Sequence, residues 1–198
     1  MKKFFLMAVA AMMATMSVNA ENGYEYKKHE VALSYGVYSN SQILDFLENV
    51  NCIMFGAQLK NEKYFGPVTA EYFYHVNKWL GVGGLFTYGQ NKQDVYNLGT
   101  KDGKDVFRYI SLLPAVKFDW FRRKHYGLYS KIGLGATFRN EKYTSDTNAA
   151  NNDSNADVHL NWQLSALGVE AGGSSLRGFV ELGFGEQGIA VIGLRYKF

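Results

Sequence analysis

The chain ends on Gly188-Ile-Ala-Val-Ile-Gly-Leu-Arg-Tyr-Lys-Phe198, the stretch that most narrows what it can fold into. In an extended backbone, Ala190, Ile192, Leu194, Tyr196 and Phe198 share one face. Ile189, Val191, Gly193, Arg195 and Lys197 share the other. A terminal strand with one greasy side, one charged side and a final aromatic suits a wall between hydrocarbon and a polar interior.

The amino end agrees. Met1-Lys2-Lys3 is basic, Phe4 to Met16 is uncharged and mostly apolar, and Ser17-Val18-Asn19-Ala20 offers small or compact residues for a peptidase. This is the layout of a removed signal peptide, cut after Ala20. The apolar run is shorter than the roughly 20 residues a spanning helix needs. The expected domain plan is therefore a signal peptide over residues 1–20 and a single domain over residues 21–198, with no later apolar run able to span as a helix.

Charge and cysteine usage remove several function classes. The net charge of +3 falls to near neutrality once Lys2 and Lys3 go, which argues against nucleic acid as a partner. Cys52 stands alone, so neither an internal disulfide nor a cysteine-based metal cluster is expected. Aromatics are nonetheless 16% of the chain, beside 21 glycines. Abundant aromatics and glycines without long apolar runs fit many short strands with aromatic bands.

Period-2 alternation recurs in eight segments, at about 29–39, 64–76, 79–90, 106–121, 126–142, 158–171, 178–186 and 188–198. In the fifth, Leu128, Ile132, Leu134, Ala136 and Phe138 alternate with Lys131, Gly133, Gly135, Thr137 and Arg139. In the sixth the phase slips between Leu164 and Leu167, so a β-bulge is expected near Ser165–Leu167, keeping Glu170 inside. Pro114 falls on the outward parity of the fourth and implies a weak ladder position or a second bulge.

Short turns at Asn77-Lys78, Arg122–Lys124 and Gly172–Ser175 fall on one side, and long connections at 40–63, 91–105 and 143–157 on the other. Glu186-Gln-Gly188 is a short turn on the long-loop side. Ile43, Leu47, Val50 and Met54 have helical spacing, which predicts a partly helical loop with strand extension over Cys52–Leu59. The fold expected is all-β: an eight-stranded antiparallel up-and-down transmembrane β-barrel. Closure removes sheet edges that lipid could not satisfy, and eight strands leave an interior that side chains fill.

The inward parity collects Glu71, Asp119, Glu170 and Glu181 with Lys117, Lys131, Arg139, Arg195 and Lys197, which predicts an interior ionic network with no open channel. Trp79, Trp120, Tyr126, Trp162, Tyr196 and Phe198 read as interfacial aromatics.

Gly66-Pro-Val-Thr-Ala-Glu-Tyr-Phe-Tyr-His-Val-Asn-Lys-Trp-Leu-Gly-Val-Gly83, Tyr109-Ile-Ser-Leu-Leu-Pro-Ala-Val-Lys-Phe118, Gly183-Phe-Gly-Glu-Gln-Gly188 and Arg195-Tyr-Lys-Phe198 resemble the small outer-membrane β-barrel family. These are the OmpA-, OmpX- and OmpW-like barrels, including uncharacterised members from gut anaerobes. The resemblance implies the barrel fold and the outer membrane of a Gram-negative cell, but no single function. The family includes anchors, adhesins, small hydrophobic-compound channels and proteins of unknown role.

Chemistry-bearing motifs are weak. Gly183-x-Gly-x-x-Gly188 matches a dinucleotide fingerprint as a string but lacks the following helix. His75 is expected inward near Glu71, and His159 near the rim with Ser165 in the same segment, without the compact geometry a triad requires. No enzyme activity, cofactor or metal is expected. The expected partners are outer-membrane lipid, the barrel-assembly machinery through the C-terminal strand, and an extracellular ligand, around a monomer. The function expected is a structural or surface-interaction role through the extracellular loops. The alternative is a narrow channel for small hydrophobic compounds, motivated by apolar Asn40–Phe55; a lipid-modifying enzyme ranks third.

Overall fold

The computed structural model describes residues 27–44, 58–97, 100–146 and 153–198. Residues 1–20, expected to be a signal peptide, and Leu47, Val50, Cys52 and Met54 lie outside these residues. Eight antiparallel strands close into a barrel in chain order. They are β1 (His29–Val37), β2 (Gln58–His75), β3 (Leu80–Asn97), β4 (Thr100–Arg122), β5 (Tyr126–Ser145), β6 (Asp153–Gly172), β7 (Leu176–Gly185) and β8 (Ala190–Lys197). Closure is made by β8 on β1, with Glu30 opposite Lys197 and Val37 opposite Ala190.

Alternation sorts the side chains as the sequence predicts. In β7 every second residue is buried, with Arg177, Phe179, Glu181 and Gly183 inside. Leu33, Ile132, Leu134, Val180, Leu182, Ile192 and Leu194 face out. Together they form a continuous apolar exterior far larger than water tolerates on a monomer, so hydrocarbon is its fitting solvent.

Both the first described residues and Phe198 lie at one end, here the terminal end. Its turns are short. Asn77 Oδ1 accepts the backbone N–H groups of Trp79 (3.0 Å) and Leu80 (2.8 Å), which sets the β2–β3 turn. Arg123 N donates to Tyr126 O, and Gly173 N to Leu176 O, in the next two.

The expected bulge in β6 is present as a register shift between Ser165 and Leu167, and Glu170 is buried. Pro114 occupies a weak ladder position. The β4–β5 ladder skips it between Leu112 and Ala115 without changing register, because proline has no N–H to donate. The β4–β5 shift instead falls between Asp119 and Phe121.

The far end differs from expectation. The connections expected at 91–105 and 143–157 are mostly strand: β3 and β4 continue to Asn97 and from Thr100, β5 and β6 to Ser145 and from Asp153. Above the apolar band the outward face meets water and the inward face buries polar groups such as Asn91, Gln93 and Asp105, so hydrophobic alternation fades while backbone pairing persists. Residues 40–44 are helical, as the spacing beginning at Ile43 suggests, and Gln58-Leu59 joins β2.

The β7–β8 turn points into the mouth and buries Glu186 and Gln187. Gly188 makes this possible: its φ is 104°, and a Cβ there would stand 2.3 Å from Val37 O.

Candidate functional site: the charged interior and the far-end sheet

The interior below the mouth is an ionic network centred on Arg195 of β8. Its Nη1 donates to Glu170 Oε2 at 2.9 Å and its Nη2 to Glu71 Oε2 at 3.1 Å. Its guanidinium lies between the rings of Tyr129 and Phe179, 4.5 and 4.4 Å from their centroids. Lys131 of β5 donates to Glu71 (2.6 Å) and Glu181 (3.0 Å). Glu181 also accepts from Tyr129 Oη and Ser165 Oγ, both at 2.6 Å. Every charged group here is all but sealed from solvent, so each needs several partners to offset lost hydration.

A second layer sits nearer the terminal end. Lys117 donates to Glu30 at 2.6 Å and lies 3.6 Å from Asp119. Arg177 donates to Glu170 at 2.6 Å and to the backbone oxygens of Arg123 and Lys124, tying the β4–β5 turn to the core. Lys197 also donates to Glu170. Glu170 is thus shared by both layers, as is Glu30, which lies 3.5 Å from Arg195 Nε.

Glu71, Asp119, Glu170, Glu181, Lys117, Lys131, Arg195 and Lys197 therefore come together as the inward parity of their strands places them. Arg139 does not. It has the inward parity but lies eight residues up β5 from Lys131, roughly 26 Å along the strand. There it stacks on Phe107 and approaches Glu141 at 3.9 Å. Parity gives the face of a strand but not the height.

His75 also differs from expectation. It faces Glu30 (3.1 Å) and Asp119 (3.2 Å) from the end of β2, and its pairing is not with Glu71. Glu71 lies four residues further up the same strand. Glu30 and Arg177 were legible: Glu30 has the parity opposite to Val31 and Leu33, and Arg177 that of Phe179 and Glu181. Starting the seventh strand at Gly178 hides Arg177, whereas Glu30 lies inside the expected first strand and was left out of the inward set.

Glu186 was legible only in three dimensions. It accepts from Ser41 Oγ, Ser111 Oγ and Asn161 Nδ2 at 2.8–2.9 Å, so the mouth is closed by a carboxylate held by neutral donors. Gln187 reaches down to Glu71 at 2.7 Å. Ser165 is committed to Glu181, and His159 lies six residues further up β6, 4.0 Å from Asp157. The two are roughly 20 Å apart along the strand and form no nucleophile–base pair. Among the described residues no group of three or more potential ligands could hold a metal ion.

The six expected interfacial aromatics all face outward. Trp79 stacks on Phe118, Phe121 on Tyr126, and Tyr196 on Phe198, building a band at the terminal end. Trp120 Nε1 donates to Ser130 Oγ at 2.8 Å, satisfying its one polar group. Trp162 stands apart, opposite Leu134 in the middle of β6, because β6 runs further toward the far end than alternation indicates.

Above the mouth, Asp105 of β4 is buried on the inward face. Burial, reinforced by the nearby Glu141 carboxylate, pushes its carboxyl up to about 6. A carboxyl raised in the folded state favours the fold most at low pH, and that contribution is lost as pH rises from about 4 through about 6. Asp105→Asn should therefore flatten the pH dependence of the β3–β4 hairpin and protect it at neutral pH. Amide exchange of residues 92–105 at pH 4.5 and 7 reads this; unchanged pH dependence in the variant would contradict it.

A closed eight-stranded antiparallel barrel, apolar outside and ion-paired within, is the architecture of the small outer-membrane barrels. Two solved structures share it. Ail, the attachment invasion locus protein of Yersinia pestis, matches with a TM-score of 0.50 at 15% identity, over 88% of this chain and all of that one. Ail in complex with the heparin analogue sucrose octasulfate matches with a TM-score of 0.51 at the same identity and coverage. At that identity the likeness establishes the fold alone. No protein-family description and no curated protein matches the sequence.

Proposed function

We propose that this protein is a monomeric integral barrel of a Gram-negative outer membrane, with both termini in the periplasm, whose role is surface interaction through its far-end hairpins. The observation that carries this is the unequal wall. β1, β7 and β8 have 9, 10 and 8 residues, whereas β2 to β6 have 18 to 23. A tilted strand crosses the hydrocarbon in about 9–11 residues. The excess, about 12 residues in β4 or roughly 40 Å along the strand, stands outside the hydrocarbon as a sheet. The barrel itself is solid with ion pairs, which supports a scaffold in preference to a conduit. The apolar cavity of about 600 Å³ lined by Tyr35, Val37, Tyr38, Ile43 and Tyr64 lies against outward-facing side chains of β1 and β2. It gives the channel reading no lumen. The complex of Ail with a heparin analogue makes an anionic glycan a reasonable first ligand class to screen.

Surface labelling tests the placement. On intact cells an impermeant amine reagent should modify Lys92, Lys104 and Lys142 and spare Lys28, Lys78 and Lys124; the reverse pattern would overturn the orientation. In planar bilayers the protein should give no conductance above background, and reproducible steps would favour the channel. Cells whose β3–β4 and β5–β6 hairpins are trimmed to two-residue turns should keep the barrel and lose adhesion to glycan-coated surfaces.

A further inference from the structure

The register sorts the far-end charges between the two faces of the sheet. The uppermost apolar outward row is Val68–Tyr88–Ile110–Phe138–Val158, read across β2 to β6. The next outward row is Phe65–Gln90–Arg108–Asn140–Ala156. Above it runs Lys63–Lys92–Val106–Lys142–Ser154, and above that Asp94–Lys104–Thr144. Lys63, Lys92, Lys104, Arg108 and Lys142 are all exposed. None has an ion-pair or hydrogen-bond partner among the described residues.

One acid, Asp94, stands in these outward rows, opposite Lys104 in the topmost. Asp94 and Asp146 are both taken by Lys101, at 3.2 and 3.4 Å. Asp105 and Glu141 have the inward parity, at the buried Phe107 level of the sheet. Lys63 and Lys92 stand directly opposite each other, a like-charge cross-strand pair that destabilises an antiparallel ladder unless an anion lies between. Successive outward rows are roughly 6.6 Å apart along the strands, so Lys63, Lys92, Arg108 and Lys142 form a belt within about 13 Å above the apolar band, and Lys104 stands one row higher.

We infer that this belt binds the phosphate groups of an anionic glycolipid headgroup in the membrane leaflet it faces. The inference rests on the membrane placement proposed above. Position favours lipid over a soluble polyanion: Arg108 is one row, and the three lysines of β2, β3 and β5 two rows, above side chains that face hydrocarbon. Juxtamembrane cations draw anionic headgroups strongly and do so less as salt screens them.

The test uses the folded protein in phosphatidylcholine nanodiscs containing equal amounts of bis-phosphorylated lipid A and its dephosphorylated form. Native mass spectrometry counts the lipid retained. The protein should enrich the phosphorylated form at least tenfold, with the enrichment falling in 0.5 M NaCl. Lys63→Gln, Lys92→Gln, Arg108→Gln and Lys142→Gln combined should abolish it, while Lys28→Gln, Lys78→Gln and Lys124→Gln combined should not. Heat-modifiable mobility verifies that each variant is folded. Undiminished enrichment in the four-site variant overturns the inference, as does equal retention of both lipids by the unaltered protein. Soluble heparin captured through the same four residues, as tightly as the lipid, would assign the belt to a soluble polyanion and likewise overturn it. A protein that fails to insert into any bilayer sinks the membrane reading itself; one that inserts without preference sinks only this inference.

Discussion

Glu170→Leu should cost about 3–5 kcal/mol, or prevent refolding altogether, because it strips the shared anion from Arg177, Arg195 and Lys197 at once. Lys117, 3.9 Å away, loses part of its field as well. The cations cannot turn to water: Arg177, Arg195, Lys117 and Lys197 are all fully buried. Breaking one side of a buried network leaves uncompensated charge, which is far more damaging than replacing the network whole. Glu170→Gln keeps the volume and one acceptor but should still lose most of this, since the missing quantity is charge. Tyr129→Phe sets the scale. It removes one hydrogen bond to Glu181, which keeps Lys131 and Ser165, and should cost only about 1 kcal/mol. Urea unfolding in lipid bicelles, followed by heat-modifiable mobility, measures all three. A Glu170→Leu protein within about 1 kcal/mol of the parent would mean that the interior is wet and the charges screened.

The second large effect belongs to the exterior. Ile132 is outward and half exposed, midway along β5 between Tyr126 and Phe138, with Val116 and Leu164 beside it. Ile132→Arg should destabilise the barrel by about 2–4 kcal/mol, the cost of a guanidinium at the bilayer midplane. Asn140→Arg, on the same strand and face, should cost no more than about 1 kcal/mol because it lies at the interface, even though it stands opposite Arg108. The contrast is the diagnostic. Equal, small effects would mean that no hydrocarbon surrounds Ile132. Equal, large effects would point to crowding of the strand by any arginine.

Glycine shows how packing limits such substitutions. A Cβ at Gly168 would stand 2.4 Å from the Tyr129 ring, so any side chain there would push Tyr129 off Glu181. Nothing in the alternation of β6 indicates this. The requirement comes from β5, which lays a large inward ring across the gap that glycine leaves.

Much of the barrel was legible along the chain. A strand must alternate where one face meets an apolar medium and the other a polar core, so Leu128 to Phe138 and Ala190 to Phe198 declare their faces at once. The slip between Leu164 and Leu167 declared its bulge for the same reason. The hairpins above the band did not declare themselves. Water outside and buried polar groups inside leave no apolar face to alternate with, and Asn91 to Asn97 reads as loop while it pairs as strand. The ionic core was half legible. Parity put Glu71, Lys131 and Arg195 inside, and put Arg139 inside with them.

What separates Arg139 from the others is height, and height follows from the stagger by which each strand meets the next. That stagger is a property of the closed sheet. It seats Glu170 among Lys117, Arg177, Arg195 and Lys197, turns His75 toward Glu30 and Asp119, and folds Glu186 over the mouth. Alternation within each strand is local, fixed by which solvent each side chain tolerates, so the sequence alone determined the eight strands and their faces. Which charge meets which depends on distances between residues far apart in the chain, and only the closed barrel sets those.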